Sequence, residues 1–253
     1  MRVPRVYVDS PLAPHMELEL SKPVAHYLGR VLRLKSGREL VLFNGKGGEY
    51  KANVALMDRH SATIKVEAFV DCSRESSVSI ELAIGLSKGD RFEWVLQKAT
   101  ELGVTSIQPV LTERTEVRLD DRRMETKFQH WHGVVTSACE QSGRTRLPTL
   151  QKPIALESYL STVKDSELAE SDIFPNFILH PGAELPLSKA LSALQLDSKL
   201  RLLIGPEGGF ASAEVGLAAA SNFVEINMGS RVLRTETAPI AAISVCQAFA
   251  GEW

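Results

Sequence analysis

No run of about eighteen apolar residues occurs in the 253-residue chain, so a membrane-spanning helix is not expected. The opening segment MRVPRVYVDSPL has no apolar core ahead of a small-residue cleavage site, which makes a cytoplasmic protein the expectation. Cysteine is scarce: Cys72, Cys139 and Cys246 are far apart and form no CxxC pair, which excludes a disulfide framework and a zinc-ribbon spacing. All three are expected reduced and mostly packed, Cys139 as a buried helical thiol rather than a nucleophile. His15, His26, His60, His130, His132 and His180 supply no HExxH, and His130 and His132 point to opposite sides of a helix, so no metal site is expected. Also missing are GxSxG, GxGxxG and GxxxxGK[ST], the marks of a hydrolase elbow, a dinucleotide fold and a P-loop.

What is present is an ordinary globular composition, 44% hydrophobic and 24% charged, long enough for one or two domains. Net charge is -2, but it is unevenly spread: residues 1–72 carry +3, residues 73–150 carry 0 and residues 151–253 carry -5. A polyanion would therefore be gripped by the N-terminal part.

Residues 1–70 read as short β segments at 5–8, 39–43, 49–56 and 62–68, with a helical stretch over 23–32. Asn44-Gly45-Lys46-Gly47-Gly48 marks a hairpin because Asn and Gly tolerate positive φ. These features predict a small β-barrel. The polar segment 71–77 lacks apolar periodicity and predicts a linker, giving domains over 1–72 and 73–253. Beyond it, apolar strands alternate with amphipathic helices: strands at 80–86, 107–111, 176–180, 200–204 and 223–227, helices at 90–102, 121–141, 156–163, 212–220 and 237–249. That alternation predicts an α/β domain built on a mainly parallel sheet covered on both faces.

Three segments stand out. Leu202-Leu203-Ile204-Gly205-Pro206-Glu207-Gly208-Gly209-Phe210 is a strand entering a glycine-rich turn, either a ligand site at a strand's carboxyl end or a tight connection. Met228-Gly229-Ser230-Arg231-Val232-Leu233-Arg234-Thr235-Glu236-Thr237 again links a strand to a helix, with Thr237 as expected N-cap and Pro239 in the first turn. Glu236 suits a helix N-terminus, but Arg231 and Arg234 have no such simple explanation. Lys88-Gly89-Asp90-Arg91 opens a helix with an Asp cap, and Glu140-Gln141-Ser142-Gly143-Arg144 closes one with a glycine stop.

GPEGGF followed by MGSRVLRTETAPIAA, and preceded by KGDRFEWVLQKATELGV, ERTEVRL and EQSGR, resembles the ribosomal RNA small subunit methyltransferase E (RsmE-type) family of the SPOUT superfamily. The resemblance spans essentially the whole chain, including RVYVD and LVLFNGKGGEY. Two departures are visible. The family's Ser or Thr after GGF is Ala211, which weakens a helix cap, and the family's Leu before Gly-x-Arg is Met228.

The resemblance implies a PUA-like RNA-binding β-barrel joined to a SPOUT-type α/β domain with a C-terminal trefoil knot. It further implies a homodimer that uses S-adenosylmethionine to methylate N3 of a uridine in 16S ribosomal RNA of the small ribosomal subunit, with no metal. It implies Arg231, Arg234 and Glu236 as catalytic residues. Cofactor binding would fall to Leu179, His180, Pro181, Leu203, Ile204, Gly205, Pro206, Glu207, Gly208, Gly209, Asn227, Met228, Gly229, Ser230, Val232 and Leu233. RNA contacts would fall to Arg2, Arg5, Arg30, Arg33, Lys35 and Lys46, and beyond the barrel to Lys88, Arg91, Lys98, Arg114 and Arg144. Chemically, an arginine pair suits a deprotonated uracil, since guanidinium donates hydrogen bonds but cannot act as a base. A non-catalytic RNA-binding or ribosome-assembly factor with merely structural glycine turns is the alternative. An RNA enzyme with another nucleotide cofactor is disfavoured by the missing fingerprints.

Overall fold

The computed structural model describes residues 3–58, 61–117, 120–169, 174–192 and 199–253. The chain divides into two units, Met1–Glu75 with Cys139–Leu147, and Ser76–Ala138 with Pro148–Trp253. A short segment far along the chain thus joins the N-terminal unit, which no local pattern announces.

The first unit holds β1 (Arg5–Tyr7), β2 (Glu17–Glu19), α1 (Lys22–His26) running into a π-helical turn (Tyr27–Val31), β3 (Glu39–Phe43), β4 (Glu49–Met57) and β5 (Ala62–Val70). They form one five-stranded sheet in the order β1-β3-β4-β5-β2, and no ladder joins β1 to β2 among the described residues. Two register shifts between β4 and β5 locally break the ladder, as bulges do. Alternating residues build the core: Leu40 and Leu42 of β3, Val54 of β4, and Ile64 and Val66 of β5. Ala25 and Leu28 of the helical stretch are buried in the same cluster. The Asn44–Gly48 hairpin forms as expected. Gly48 is required there, because its φ is +65° and a Cβ would lie 2.3 Å from Phe69.

Segment 139–147 is tied to this unit by polar contacts. The Tyr7 amide donates to Glu140 Oε1 at 2.9 Å. Arg144 donates to Glu75 Oε2 through Nε at 2.9 Å and Nη2 at 2.6 Å, and the Thr145 and Arg146 amides donate to Glu75 Oε1 at 3.1 Å each.

The second unit carries β6 (Ser79–Gly85), α2 (Asp90–Glu101), β7 (Ser106–Leu111), most of α3 (Asp121–Ser142), β8 (Thr149–Leu150), β9 (Ile154–Ala155) and α4 (Leu156–Ala169). Then follow β10 (Asn176–Leu179), α5 (Leu187–Ser192), β11 (Lys199–Ile204), α6 (Ser212–Ala219), β12 (Phe223–Ile226) and α7 (Thr237–Phe249). The sheet is parallel throughout, in the order β12-β10-β11-β6-β7-β8, with β9 also on β7. Side chains on its strands alternate between two cores: Leu202 and Ile204 pack with α2, α5 and α7 residues, Leu203 with α4 and α6 residues. Near the strands' amino ends Arg201 bonds Asn176 Oδ1 at 3.2 Å and pairs with Glu81 at 3.4 Å, and the Tyr159 hydroxyl donates to Glu81 at 3.0 Å.

Strands β2, β8 and β9 and helix α5 are additions to the periodicity reading, being two to six residues long, too short for a period to show. Two helix starts are corrected. Gly89, at φ 61°, is the N-cap of α2, so Asp90 is its first helical residue. Glu236 is the N-cap of α7 and Thr237 already lies inside, because the Arg234 carbonyl accepts both the Thr237 and Ala238 amides at 2.9 Å. Among the described residues no helix is long and apolar enough to cross a membrane, and no group of three or more His, Cys, Asp or Glu side chains is placed to hold a metal.

Candidate active site

A cavity of about 520 Å³ lies at the carboxyl ends of the adjacent strands β12, β10 and β11, where open α/β sheets bind ligands. Its walls come from three loops: Leu179 to Pro181 after β10, Ile204 to Phe210 after β11, and Ile226 to Glu236 after β12. Sequence-distant segments meet here because parallel strands place all their carboxyl ends on one side.

Fourteen of the sixteen expected cofactor residues line this cavity. Leu203 does not: the alternation along β11 turns its side chain into the core, where it is fully buried. Ser230 is exposed and also outside the lining. Asn227 is partly committed to the fold, since its side-chain amide donates to the Ala183 carbonyl at 2.8 Å and its Oδ1 accepts the Gly229 amide at 2.9 Å. His180 stands with Nδ1 3.3 Å from Glu225 Oε2. Phe210, Thr235 and Ala238 also line the cavity and fall outside the sequence expectation. Thr235 sits inside a quoted motif, but its partner is thirty residues away, so no local signal exposes it.

Arg231, Arg234 and Glu236 all line the cavity. Both arginines are exposed, and neither has a side-chain partner among the described residues. Oε2 of Glu236 is buried with no hydrogen-bond partner, an arrangement that costs free energy unless a ligand donor satisfies it. A Cβ added at Gly209 or Gly229, both at positive φ, would meet nothing within 4 Å, so these turns leave room beside the main chain. Apolar walls, an orphan carboxylate oxygen and open glycine turns fit a nucleoside-bearing ligand with a cationic or donor-rich end.

The expected RNA contacts fall into three groups. Arg30, Arg33, Lys35 and Lys46 are exposed on the first unit. Lys88, Arg91 and Arg114 surround the glycine-rich turn but already have partners. Lys88 pairs with Glu116, Arg91 lies 3.3 Å from Glu207, and Arg114 donates to the Gly208 carbonyl at 2.8 Å. Lys98 pairs with Glu101 at 2.9 Å along the same helix. Arg5 and Arg144 are corrected. Arg5 is 8% exposed, paired with Glu49 and stacked 5.0 Å over Phe43, and Arg144 is 4% exposed against Glu75. Both are structural because their charge is neutralised inside the unit, leaving nothing for a phosphate. Arg2 and His60 lie outside the described residues.

Burial pushes the Cys139 and Cys246 thiols up to about 12, so both are inert at neutral pH.

The RNA methyltransferase domain model matches residues 74–247, and the RNA methyltransferase PUA domain model matches residues 20–67. The chain belongs to the RNA methyltransferase domain family. Its cavity is therefore part of a methyltransferase domain that follows a PUA-like β-sheet domain. A curated relative, the ribosomal RNA small subunit methyltransferase E of Synechocystis, is 33% identical, with 94% of this chain and 76% of that protein covered. The protein of the same name from Buchnera aphidicola of Schizaphis graminum is 30% identical over 99% of this chain and 98% of its own. Among solved structures, a methyltransferase of Legionella pneumophila with bound S-adenosylmethionine superposes with a TM-score of 0.86 at 36% identity. The ribosomal RNA small subunit methyltransferase E of Neisseria gonorrhoeae, also bound to S-adenosylmethionine, gives 0.85 at 31%. Each match covers 98% of both chains.

Proposed function

We propose that this methyltransferase transfers a methyl group from S-adenosylmethionine to N3 of a uridine in 16S ribosomal RNA of the small ribosomal subunit. The observation that carries this is the cavity at the strand ends, where an orphan carboxylate and two arginines without a side-chain partner among the described residues face glycine-lined loops. When bound, S-adenosylmethionine supplies an electrophilic methyl on a positively charged sulfur. The loops at Leu179 to Pro181, Ile204 to Gly209 and Asn227 to Leu233 hold it, mainly through main chain that glycine leaves accessible.

The rest of the chemistry belongs to this chain's own side chains. Uracil N3 carries a proton at neutral pH, and removing it about two units below its pKa costs roughly 3 kcal/mol. Arg231 and Arg234 donate to the uracil oxygens and so stabilise the anion left on O2, N3 and O4. Glu236 orients the base or accepts the proton, being the cavity carboxylate with an unused buried oxygen. The uridine must leave its stack to enter, which is least costly at a single-stranded or distorted site. Arg30, Arg33, Lys35 and Lys46 of the first unit hold the RNA by its phosphates.

The same reading gives the chain a trefoil knot around the cavity and a homodimeric state. What bears on the knot is that the chain after β10 and the loop after β12 are joined by a parallel bridge: the Asn227 amide donates to the Leu185 carbonyl and the Leu187 amide to the Asn227 carbonyl, each at 2.9 Å. Support for the dimer is α7, which buries Pro239, Ala242, Ile243 and Cys246 but leaves Phe249 45% exposed and Ile240 and Ala241 half-buried.

The test uses Arg234. Replacement by Ala removes the charge, and replacement by Lys keeps the charge but loses the planar fork. Both variants are expected to cut single-turnover methylation of ribosomal subunits about a hundredfold, with S-adenosylhomocysteine affinity little changed. Near-parent rates in both would overturn the assignment, and no calorimetric binding of S-adenosylhomocysteine by the parent would favour a non-catalytic RNA-binding factor.

A further inference from the structure

Three segments of the second unit converge beside Gly205. The end of β6 contributes Gly85 and the segment after it Ser87, the turn after β11 contributes Gly205 and Pro206, and the loop after β12 contributes Thr235. Gly85 is packed so closely that an added Cβ would lie 2.3 Å from the Pro206 nitrogen. Thr235 and Ser87 are 8% and 4% exposed. Thr235 Oγ1 lies 3.1 Å from the Gly205 carbonyl oxygen and 3.4 Å from Ser87 Oγ.

A hydroxyl has one proton, whereas a carbonyl oxygen can only accept, so the direction of the bond to Gly205 is determined. Thr235 donates to Gly205. The Ser87 hydroxyl then has two acceptors at nearly equal distance, Thr235 Oγ1 at 3.4 Å and the Gly85 carbonyl at 3.5 Å. Two hydroxyls in series polarise each other in a site with little water. The consequence lies in the chain order. Thr235 stands between Arg234 and Glu236, and its hydroxyl is bonded to the glycine-rich turn that lines the same cavity.

We propose that Thr235 is a positioning residue: its hydroxyl, backed by Ser87, fixes the loop bearing Arg234 and Glu236 at one distance from the Gly205 to Gly209 turn. This rests on the methyltransferase reading, since it makes the spacing between the cofactor wall and the base-orienting wall depend on one hydrogen bond. Occupancy of one wall thereby sets the geometry of the other.

The experiment compares Thr235→Val, which keeps the shape and removes the hydroxyl, with Thr235→Ser, which keeps the hydroxyl, and with Ser87→Ala. S-adenosylhomocysteine affinity is measured by calorimetry, and single-turnover methylation of ribosomal subunits at saturating cofactor is measured beside thermal unfolding. Thr235→Val is expected to weaken cofactor binding and slow the saturated step, each roughly tenfold, the scale of one unsatisfied buried acceptor. Thr235→Ser is expected to restore both to within about twofold, and Ser87→Ala to slow the saturated step about threefold. A purely structural residue would lower the melting temperature and leave the saturated step unchanged. Parent-like values for Thr235→Val, or a Thr235→Ser variant as impaired as it, would overturn the proposal. Should Thr235→Val fail to fold, a parent-like saturated rate in Ser87→Ala does the same. A parent protein that binds no cofactor refutes the methyltransferase reading itself, an outcome seen before any substitution is compared.

Discussion

Arg5 and Arg144 illustrate how little a residue's type says about its use. Each is a cation expected to meet phosphate, yet each is buried against a carboxylate, where removing one partner strands the other's charge and costs about 3 kcal/mol or more. Glu49 carries the clearest pH consequence. Burial alone would raise its pKa, but hydrogen bonds from Arg5 and Arg74 outweigh this and hold it below the ordinary value of 4.5. A folded-state pKa below the unfolded one means the stabilisation is complete above that ordinary value and is lost as the pH falls through the folded value. Glu49→Gln should therefore lower the melting temperature by more at about pH 7 than at about pH 4, the gap to the parent narrowing as the pH falls below the ordinary 4.5. An equal gap at both pH values would show that the ion pairs do not carry the acid sensitivity of this unit.

The start of α6 shows one element making do with half of a motif. Ala211 has no side-chain acceptor, so only the reciprocal arm of the capping box survives: Glu214 Oε2 accepts the Ala211 amide at 2.8 Å. The other oxygen of Glu214 accepts the Glu113 amide at 2.8 Å, so the same buried carboxylate anchors the loop that carries Arg114 beside Gly208. Ala211 already has the extended geometry of a cap, φ -72° and ψ 155°. Ala211→Ser is accordingly expected to stabilise the protein by about 0.5–1 kcal/mol in denaturant unfolding, without altering cofactor affinity. A loss of stability would mean that the hydroxyl cannot reach a helical amide in this partly packed site.

Across the whole molecule the informative feature is that the first unit is discontinuous, closing only when 139–147 returns to it. Deleting residues 1–70 would strip Glu140 of its Tyr7 partner and break the β-sheet beside Arg144, so truncation would confuse folding with RNA binding. Substituting Arg30, Arg33 and Lys35 together by Ala is the cleaner probe, because all three are exposed. RNA affinity should fall, and the slope of log affinity against log salt should drop by roughly 0.7–0.9 for each phosphate charge no longer neutralised, with the melting temperature unchanged. An unchanged slope would remove these residues from the RNA surface. Light scattering on the same samples tests the proposed dimer, for which a mass about twice 27.8 kDa is expected and the monomer value would refute it.

Most elements were legible from sequence because their causes are local. Alternating apolar residues mark the strands, the Asn-Gly hairpin marks a turn, Gly143 ends α3 at φ +88°, and the change of period after residue 77 marks a new layer architecture. The glycine loops and the Arg231 to Glu236 segment were recognisable as a set because their order along the chain is specific. Which cations are free and which are consumed was decided only in three dimensions, since Arg5 and Arg144 meet their carboxylates 44 and 69 residues away. The same holds for Leu203, turned into the core by the pleat of β11, and for Thr235, whose acceptor lies on another strand's loop. The sequence by itself determined the elements and the composition of the loops at the strand ends, because propensity and periodicity act over a few residues. Only the tertiary structure decided the pairing of charges and hydroxyls, because hydrogen bonds and ion pairs act over a few ångströms of space regardless of separation along the chain.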